Sequence, residues 1–387
     1  MARVLVIAAL LCALPAAGEE VDGGPIFAAD LHTHPTMHRA AYPVFLGMPG
    51  GTGPNAIRAT APDDMLENQI DGAECRRAGM RLVLGSIWPP FAFSPQMSAL
   101  DATVRQLHVL RKWAERQSDF AYVQTPEQGQ RALKEGHVVL IPHVEGSEMI
   151  TSPADVDALY AAGARIIQLM HFADSDLGGA AADQIGRNFL GSLETHHNPR
   201  GLTPLGKQVI DRMIQKGIVI DLAHASDQTL TDILDYTESR HIPLIYSHGA
   251  SRELSGSERN LPDALAKRIA DRGGLIGVTL YKTFVSNVPE TDRWPGYVPG
   301  TCDDIVAHWK HLVSVVGTDS LAVGSDFNGF IRRSPPGGDC PNGIRGTQDL
   351  PALWSALEKR GVPRAAFDHS APRMLEIWAK AIAVAGP

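Results

Sequence analysis

Seven side chains suited to metal binding follow short apolar segments of this sequence. They are His32, His34, Glu145, His171, His224, His248 and Asp326. Each lies within three residues of the end of a run rich in Val, Ile and Leu. Imidazole and carboxylate groups are the ligands of zinc and related divalent ions. These residues therefore predict a metal site.

The spacing and number of these residues favour that interpretation over simpler ones. His32 and His34 are two residues apart, which on a strand puts both side chains on one face. A single histidine that ends a strand is more often a hydrogen-bonded polar residue, and Asp326 alone could cap a turn. Together they would bury several ionisable groups, which is unfavourable unless the groups are paired or bind a metal. Other histidines lie in predicted loops or helices and are expected to be solvated: His38, His108, His137, His196, His197, His308, His311 and His369.

The apolar runs themselves predict strands. They are Pro25–Leu31, Arg81–Trp88, Val138–Val144, Ala164–Met170, Gly217–Leu222, Pro243–Tyr246, Gly274–Tyr281 and Ser320–Gly324. Their mostly continuous apolar character is typical of strands that are buried on both faces. Helical segments are predicted between them, at Pro62–Gly79, Ser98–Ser118, Pro126–Gly136, Ser152–Ala162, Thr203–Lys216, Ala225–Arg240, Leu261–Arg272 and Asp303–Val316.

Eight strands that alternate with helices predict an α/β protein with a (β/α)8 barrel. We expect one domain over residues 19–387, with long loops at the C-terminal face of the barrel. A doubly wound sheet is the alternative, but such a sheet rarely needs eight units. In a barrel the C-terminal ends of the strands meet at one mouth, which would bring the candidate metal ligands together.

Composition restricts the kind of partner. The chain has 387 residues, 44% of them hydrophobic and 20% charged, which excludes a disordered or collagen-like protein. Its formal net charge of −8 provides no basis for holding nucleic acid by charge. We therefore expect a small-molecule partner.

The N-terminal residues 1–18 are typical of a secretory signal peptide. Arg3 precedes an apolar run over residues 4–14, and small residues at 16–18 form a cleavage site before Glu19. The run is shorter than the ~20 residues that span a bilayer. A lipid anchor on Cys12 is disfavoured, because Leu11 stands where a small residue is expected. We expect an exported protein, periplasmic or secreted, without a membrane span.

Three cysteines remain after removal of residues 1–18, and their spacing matches no zinc-finger pattern. Cys302 and Cys340 follow the seventh and eighth predicted strands, so both are expected near the barrel mouth, whereas Cys75 lies on the first predicted helix. Export would make oxidation feasible. We therefore predict a disulfide between Cys302 and Cys340.

At the candidate ligands the sequence resembles the membrane (renal) dipeptidase family of metal-dependent, amidohydrolase-type barrels, in the form of an exported bacterial member. The matching segments occur in the family's order over nearly all of residues 19–387. They are Asp30–Pro35, Val144–Gly146, Leu169–His171, Gly201–Gly206, Ile220–Ser226, Ile245–His248, Arg259–Asp263 and Gly324–Gly329.

This resemblance implies roles for the residues. It implies an exported zinc dipeptidase with two Zn²⁺ per chain, in which a metal-bridging hydroxide attacks the amide bond of a dipeptide. His32 would bind the first zinc ion, and His34 is a candidate ligand of the same ion. His224 and His248 would bind the second zinc ion, and Glu145 would bridge the two ions. Asp326 would act as acid and base, while His171 and Arg259 would contact the substrate. Homodimer formation is left open.

The sequence also departs from the family pattern. His34 stands where better-known members have Asp, which removes a negative charge from the first metal site. The segment from Phe172 to Pro199 differs as well, so substrate preference is open. Two alternatives remain: a lactonase or phosphotriesterase on the same barrel, and a metal-dependent maturation or binding protein dedicated to one molecule. The first usually has a carboxylated Lys at the third or fourth strand, whereas the third predicted strand here is followed by Glu145 and no Lys follows the fourth.

Overall fold

The computed structural model describes residues 25–37, 68–88, 97–181, 197–286, 299–329, 331 and 333–386. These residues contain nine parallel strands. They are β1 (Ala28–Thr33), β2 (Met80–Ile87), β3 (Phe120–Tyr122), β4 (Val138–Val144), β5 (Ile166–Gln168), β6 (Val219–Asp221), β7 (Ile245–Gly249), β8 (Leu275–Thr279) and β9 (Leu321–Gly324). The signal-peptide prediction, His38 and His196 lie outside the described residues.

Eight of these strands form a closed barrel. β1 pairs with both β2 and β9, and β2 pairs with β4, so the ring runs β1-β2-β4-β5-β6-β7-β8-β9 and returns to β1. This confirms the predicted (β/α)8 barrel. The three-residue β3 pairs with β4 outside the ring. It was not predicted, because its residues do not belong to a longer run rich in Val, Ile and Leu, as those of the equally short β5 and β6 do.

Helices surround the barrel. Within the described ranges they are α1 (Gly72–Arg77), α2 (Ala99–Ala114), α3 (Pro126–Lys134), α4 (Pro153–Ala162), α5 (Pro204–Gln215), α6 (Asp227–Tyr236), α7 (Asp263–Asp271), α8 (Lys282–Val285), α9 (Cys302–Val316), α10 (Leu350–Lys359) and α11 (Ser370–Ala385). No helix of the described part is long and apolar enough to cross a membrane.

Local sequence explains where several helices begin and end. Ser152 and Asp155 form a capping box at the start of α4, and Gly163 ends that helix at φ 117°, a conformation that favours glycine. Thr203 caps α5 by accepting a hydrogen bond from the Gly206 N–H. The first predicted helix is shorter than expected, because Asp71 caps α1 and the described residues before it are not helical.

The predicted strands overlap the observed ones, but α8, α10 and α11 were not predicted. α11 has a structural role at the barrel interior: its residues Met374 and Trp378 pack in one cluster with inward-facing strand residues such as Leu31 and Ile245. The Ser370 hydroxyl also accepts a hydrogen bond from the Ala29 N–H, 2.7 Å away. α11 therefore helps to close the barrel core.

The prediction for His308 is wrong, and the predicted disulfide is confirmed. His308 on α9 is fully buried rather than solvated, because this helix packs that face against the neighbouring loops. Cys302 and Cys340 form a disulfide with their Cα atoms 5.9 Å apart, as predicted. Cys75 is a free, buried cysteine on α1.

Candidate metal centre

The structure brings all the predicted site residues together at the C-terminal ends of the strands. Glu145, which follows β4, lies among the histidines. Its Oε1 is 3.2 Å from His32 Nε2, and its Oε2 is 3.4 Å from His34 Nε2. The two imidazole Nε2 atoms are 3.1 Å apart. These three side chains form the first group of candidate metal ligands, and their ligand atoms all lie within 4.8 Å of one another.

A second group of histidines adjoins the first, with the His248 ring stacked on the His32 ring at 3.7 Å. His224 Nε2 and His248 Nε2 are 2.9 Å apart, and they lie 3.7 and 3.9 Å from Glu145 Oε1. His171 Nε2 is 3.3 Å from the same oxygen. Four imidazoles therefore surround Glu145 Oε1, and His34 lies beside Oε2, so this carboxylate lies within reach of both groups.

Asp326 completes the first group. Its Oδ1 lies 3.2 Å from His34 Nε2 and 3.9 Å from His32 Nε2, and its side chain is 14% exposed. It is thus the carboxylate of this centre with most access to solvent, since the Glu145 side chain is 5% exposed. A carboxylate with this access can exchange protons with a bound molecule.

Two buried carboxylates fix the strand ends that carry the ligands. Asp30 Oδ1 accepts hydrogen bonds from the N–H groups of His32 and Ser325, which joins β1 to the end of β9. Asp221 Oδ1 accepts from the N–H groups of Ala223 and Ser247, which joins the end of β6 to β7. These two side chains therefore hold the backbone on both sides of the centre through hydrogen bonds to N–H groups.

The turns after β6 and β9 place two functional side chains through an uncommon backbone conformation. His224 has φ 68° and Asp326 has φ 60°, both in the left-handed region. Such residues are uncommon outside glycine and cluster at functional sites. The chain turns sharply at these positions, so each side chain points back into the mouth.

Burial controls the charge of the histidines. It lowers the pKa of His32, His224 and His248 well below the ordinary value, so these imidazoles are neutral and offer a lone pair. Burial also opposes the charged form of His34, but the carboxylates of Glu145 and Asp326 outweigh it and raise the pKa of that imidazole. A cation is favoured in the first group.

His171 and two aromatic side chains line the adjoining space. Burial lowers the pKa of His171 to about 4, against the opposing effect of Glu145, so this imidazole is neutral near pH 7. The rings of Phe172 and Trp88 lie 3.8 and 5.1 Å from it, and Phe172 is 39% exposed. These residues form an apolar wall beside the metal centre.

Arg259 is buried near the second group and is not a surface residue. Its Nη1 donates to the Tyr246 hydroxyl at 3.0 Å, and its guanidinium lies over the rings of Tyr246 and Phe284. Its Nε and Nη2 are buried and have no acceptor among the described residues. Its charge contributes to the low pKa of His224 and His248. Unpaired buried donors of this kind suit a planar anion.

Three residues without a predicted role, Ser86, His143 and Asp221, lie behind the metal centre. Ser86 Oγ contacts both His32 Nδ1 and His143 Nδ1. His143 and Asp221 stand at predicted strand ends, but nothing in the sequence shows that they face each other. A signal was present in the two-residue spacing of His143 and Glu145, which places both on one face.

Comparison with known proteins places the chain in a family. The model of the membrane dipeptidase family, peptidase family M19, matches residues 38–371. The chain belongs to this family. An uncharacterised dipeptidase of Schizosaccharomyces pombe is 29% identical over 261 residues, which are 67% of this chain and 56% of that protein. A second dipeptidase from the same yeast is 26% identical over 245 residues, which are 62% of this chain and 53% of that protein. The chain therefore spans about half the length of these curated relatives.

Solved structures share the fold. Dipeptidase AC, a metallopeptidase of family M19, superposes with a TM-score of 0.67 at 21% identity, over 92% of this chain and 98% of that one. The second is a metallopeptidase of Rhodobacter sphaeroides bound to a phosphinate mimic of the dipeptide L-Ala-D-Ala. It superposes with a TM-score of 0.66 at 21% identity, over 92% of this chain and 99% of that one. At these identities the likeness shows a common barrel.

Proposed function

We propose that the protein is a binuclear zinc dipeptidase that hydrolyses the amide bond of dipeptides. The observation that carries this proposal is the position of Glu145 within reach of both histidine groups, with one oxygen 3.2 Å from His32 Nε2 and 3.7 Å from His224 Nε2. Membership of the membrane dipeptidase family supports it.

The side chains present fit two zinc ions. His32 and His34 with Glu145 offer two nitrogens and an oxygen to one ion, and His224 and His248 with the same carboxylate offer the same set to the other. The second ring nitrogens of His32 and His248 lie 3.2 and 2.9 Å from serine hydroxyls. An Nδ1–H that donates to the serine leaves the Nε2 lone pair for metal, which is the usual arrangement of a ligating histidine.

Two residues would manage protons and charge during hydrolysis. When bound, two zinc ions polarise an amide carbonyl and make hydroxide available near neutral pH. Asp326 would accept the proton of the attacking water and deliver it to the departing amine, the role of a general acid–base. His171, neutral near pH 7, would donate its N–H to the oxyanion that develops on the substrate carbonyl.

Arg259 would set the length of the substrate. Its buried Nε and Nη2 donors can hold the C-terminal carboxylate of a dipeptide by a bidentate contact. Because the guanidinium is fixed by Tyr246 and Phe284, the carboxylate would sit at a constant distance from the metals. Short peptides would satisfy that distance and longer ones would not.

The test is a panel of dipeptides, tripeptides, lactones and phosphotriesters, assayed with added zinc and after removal of metal. We expect zinc-dependent cleavage of dipeptides only. Glu145→Gln should weaken both metal ions, because Glu145 is the ligand common to both groups. Zinc-loaded protein that cleaves lactones or phosphotriesters instead would support the related hydrolases, and one that cleaves none of these would favour a dedicated maturation or binding role.

We also propose export. The support is the sequence of residues 1–18, with Arg3, the apolar run and the small residues before Glu19. The expected result in a bacterial host is a periplasmic or secreted protein whose N-terminal residue is Glu19. Recovery of the uncleaved chain from the cytoplasm would contradict export and leave the proposed chemistry intact.

A further inference from the structure

A continuous row of buried polar side chains lies behind the first histidine group. His32 Nδ1 is 3.2 Å from Ser86 Oγ, and Ser86 Oγ is 2.7 Å from His143 Nδ1. On the far side of that ring, His143 Nε2 is 3.2 Å from Asp221 Oδ2. Each of the four residues is at most 1% exposed.

The barrel register produces this row. Ser86 on β2 is the direct partner of His143 on β4, so their side chains meet on the inner face. Asp221 ends β6, two strands away, and reaches His143 across the interior. Four polar groups from four strands thus meet below the mouth, where they have no contact with solvent.

One arrangement of hydrogens runs through the row in a single direction when His32 uses Nε2 for metal. His32 Nδ1–H donates to Ser86 Oγ, the Ser86 hydroxyl donates to His143 Nδ1, and His143 Nε2 then carries the hydrogen on the side of the ring that faces Asp221 Oδ2, 3.2 Å away. Each link fixes the proton position of the next. A carboxylate that ends such a chain raises the electron-donating power of the ligand at its head.

We propose that Ser86, His143 and Asp221 form a positioning relay that holds His32 toward the first metal ion and places a buried negative charge behind it. This inference rests on the proposed metal centre. The first group has two imidazoles and shares Glu145 with the second group, so the charge behind His32 strengthens cation binding there. None of the three relay residues touches the substrate.

A matched pair of variants tests the relay. Ser86→Ala removes the hydroxyl that links His32 to His143 and leaves His143 beside Asp221. Ser247→Ala is the control, because Ser247 Oγ makes the equivalent contact with His248 Nδ1, at 2.9 Å, in the second group. Zinc affinity is measured for the full chain by competition with a chelator. The binding step that is lost in His34→Ala is the one that belongs to the first group.

We expect Ser86→Ala to weaken the first-group zinc ion by ~10–100-fold, the usual effect of removing an outer partner of a ligand. The second-group affinity should stay within about threefold of wild type, and Ser247→Ala should show the opposite pattern. Wild-type affinity at both sites in folded Ser86→Ala would overturn the relay. Wild-type protein that binds no zinc would refute the proposed function instead.

A measurement on unmodified protein keeps the proposal falsifiable if Ser86→Ala does not fold. Nitrogen-15 NMR of the zinc-loaded chain reports which ring nitrogen carries the proton, and the His143 signal is the one lost in His143→Gln. The relay requires the His143 proton on Nε2, with Nδ1 free to accept from the Ser86 hydroxyl. Protonation at Nδ1, or a third zinc ion bound by His143 and Asp221, would overturn it.

Discussion

In the proposed mechanism Asp326 accepts a proton, and its Oδ1 lies 3.2 Å from His34 Nε2 with part of its side chain exposed. Asp326→Asn keeps the size of the side chain, and asparagine tolerates the left-handed backbone at φ 60°. The variant cannot take up a proton from the attacking water. We expect kcat to fall by ~10² or more with metal content unchanged.

Metal analysis beside the kinetics separates this role from others. Loss of zinc, with activity partly restored by excess zinc, would make Asp326 a metal ligand. A kcat within threefold of wild type at full metal loading would remove it from the mechanism. Asn328→Ala is a suitable control, because Asn328 shares the same turn and its side chain contacts Gln69 and Asn68 rather than the histidines.

At the scale of single elements, α9 carries a buried histidine that makes stability depend on pH. His308 Nδ1 accepts a hydrogen bond from the Ser251 N–H at 3.0 Å, and burial lowers its pKa to about 4. In the unfolded chain His308 takes up a proton below about pH 6.5, whereas in the native protein it does so only below about pH 4. His308 therefore stabilises the fold fully above pH 6.5, and this contribution is lost as the pH falls to about 4.

The size of this effect can be measured. From pH 8 to pH 5 the free energy of unfolding should fall by about 2 kcal/mol because of His308, at 1.4 kcal/mol per pH unit. His308→Asn keeps an acceptor for the Ser251 N–H and does not titrate. Its free energy of unfolding, measured by urea denaturation at the two pH values, should therefore fall by about 2 kcal/mol less than that of the wild type. Equal pH dependence of the two proteins would show that His308 has the same pKa in the native and unfolded states, which would contradict this prediction.

The disulfide between Cys302 and Cys340 ties the start of α9 to the loop after β9. The bond closes a loop with a sequence separation of 38, which corresponds to about 3–4 kcal/mol in the chain-entropy model. We expect a reducing agent to lower the urea midpoint of the wild type and to leave the double variant Cys302→Ala, Cys340→Ala unchanged. Thiol titration of unfolded, unreduced protein beginning at residue 19 should count one thiol, on Cys75; a count of three would contradict the bond.

At the scale of the whole molecule, the metal centre joins six barrel strands. Its side chains come from β1, β4, β5, β6, β7 and β9 or from the residues that follow them. Bound metal stabilises the native state by about 2.7 kcal/mol per site at a hundredfold excess over Kd. Chelation should therefore lower the Tm by on the order of 5–10 °C.

Glu145→Gln is the control for this effect. Its Tm should respond weakly to zinc and to chelator, because both groups lose their shared carboxylate. A wild-type Tm that is the same with and without zinc would mean that the histidines do not bind metal in the native state.

The sequence by itself determined the barrel and the candidate ligands. Strand positions followed from continuous apolar runs, and the ligands followed from the residue types at the ends of those runs. The inference to a common site needed no knowledge of the loops, because the C-terminal ends of parallel strands in a closed barrel meet at one mouth. The pairing of Cys302 with Cys340 followed from the same rule.

Only the tertiary structure decided which residues support that site. Ser86 meets His143 through the register of β2 and β4, and Asp221 reaches them across the barrel interior. The sequence of one strand does not determine its register with a neighbouring strand. His308 is buried because of the face that α9 packs, and Arg259 is buried because Tyr246 and Phe284 enclose it. Such contacts join segments distant in the chain, so they are set by packing rather than by local sequence.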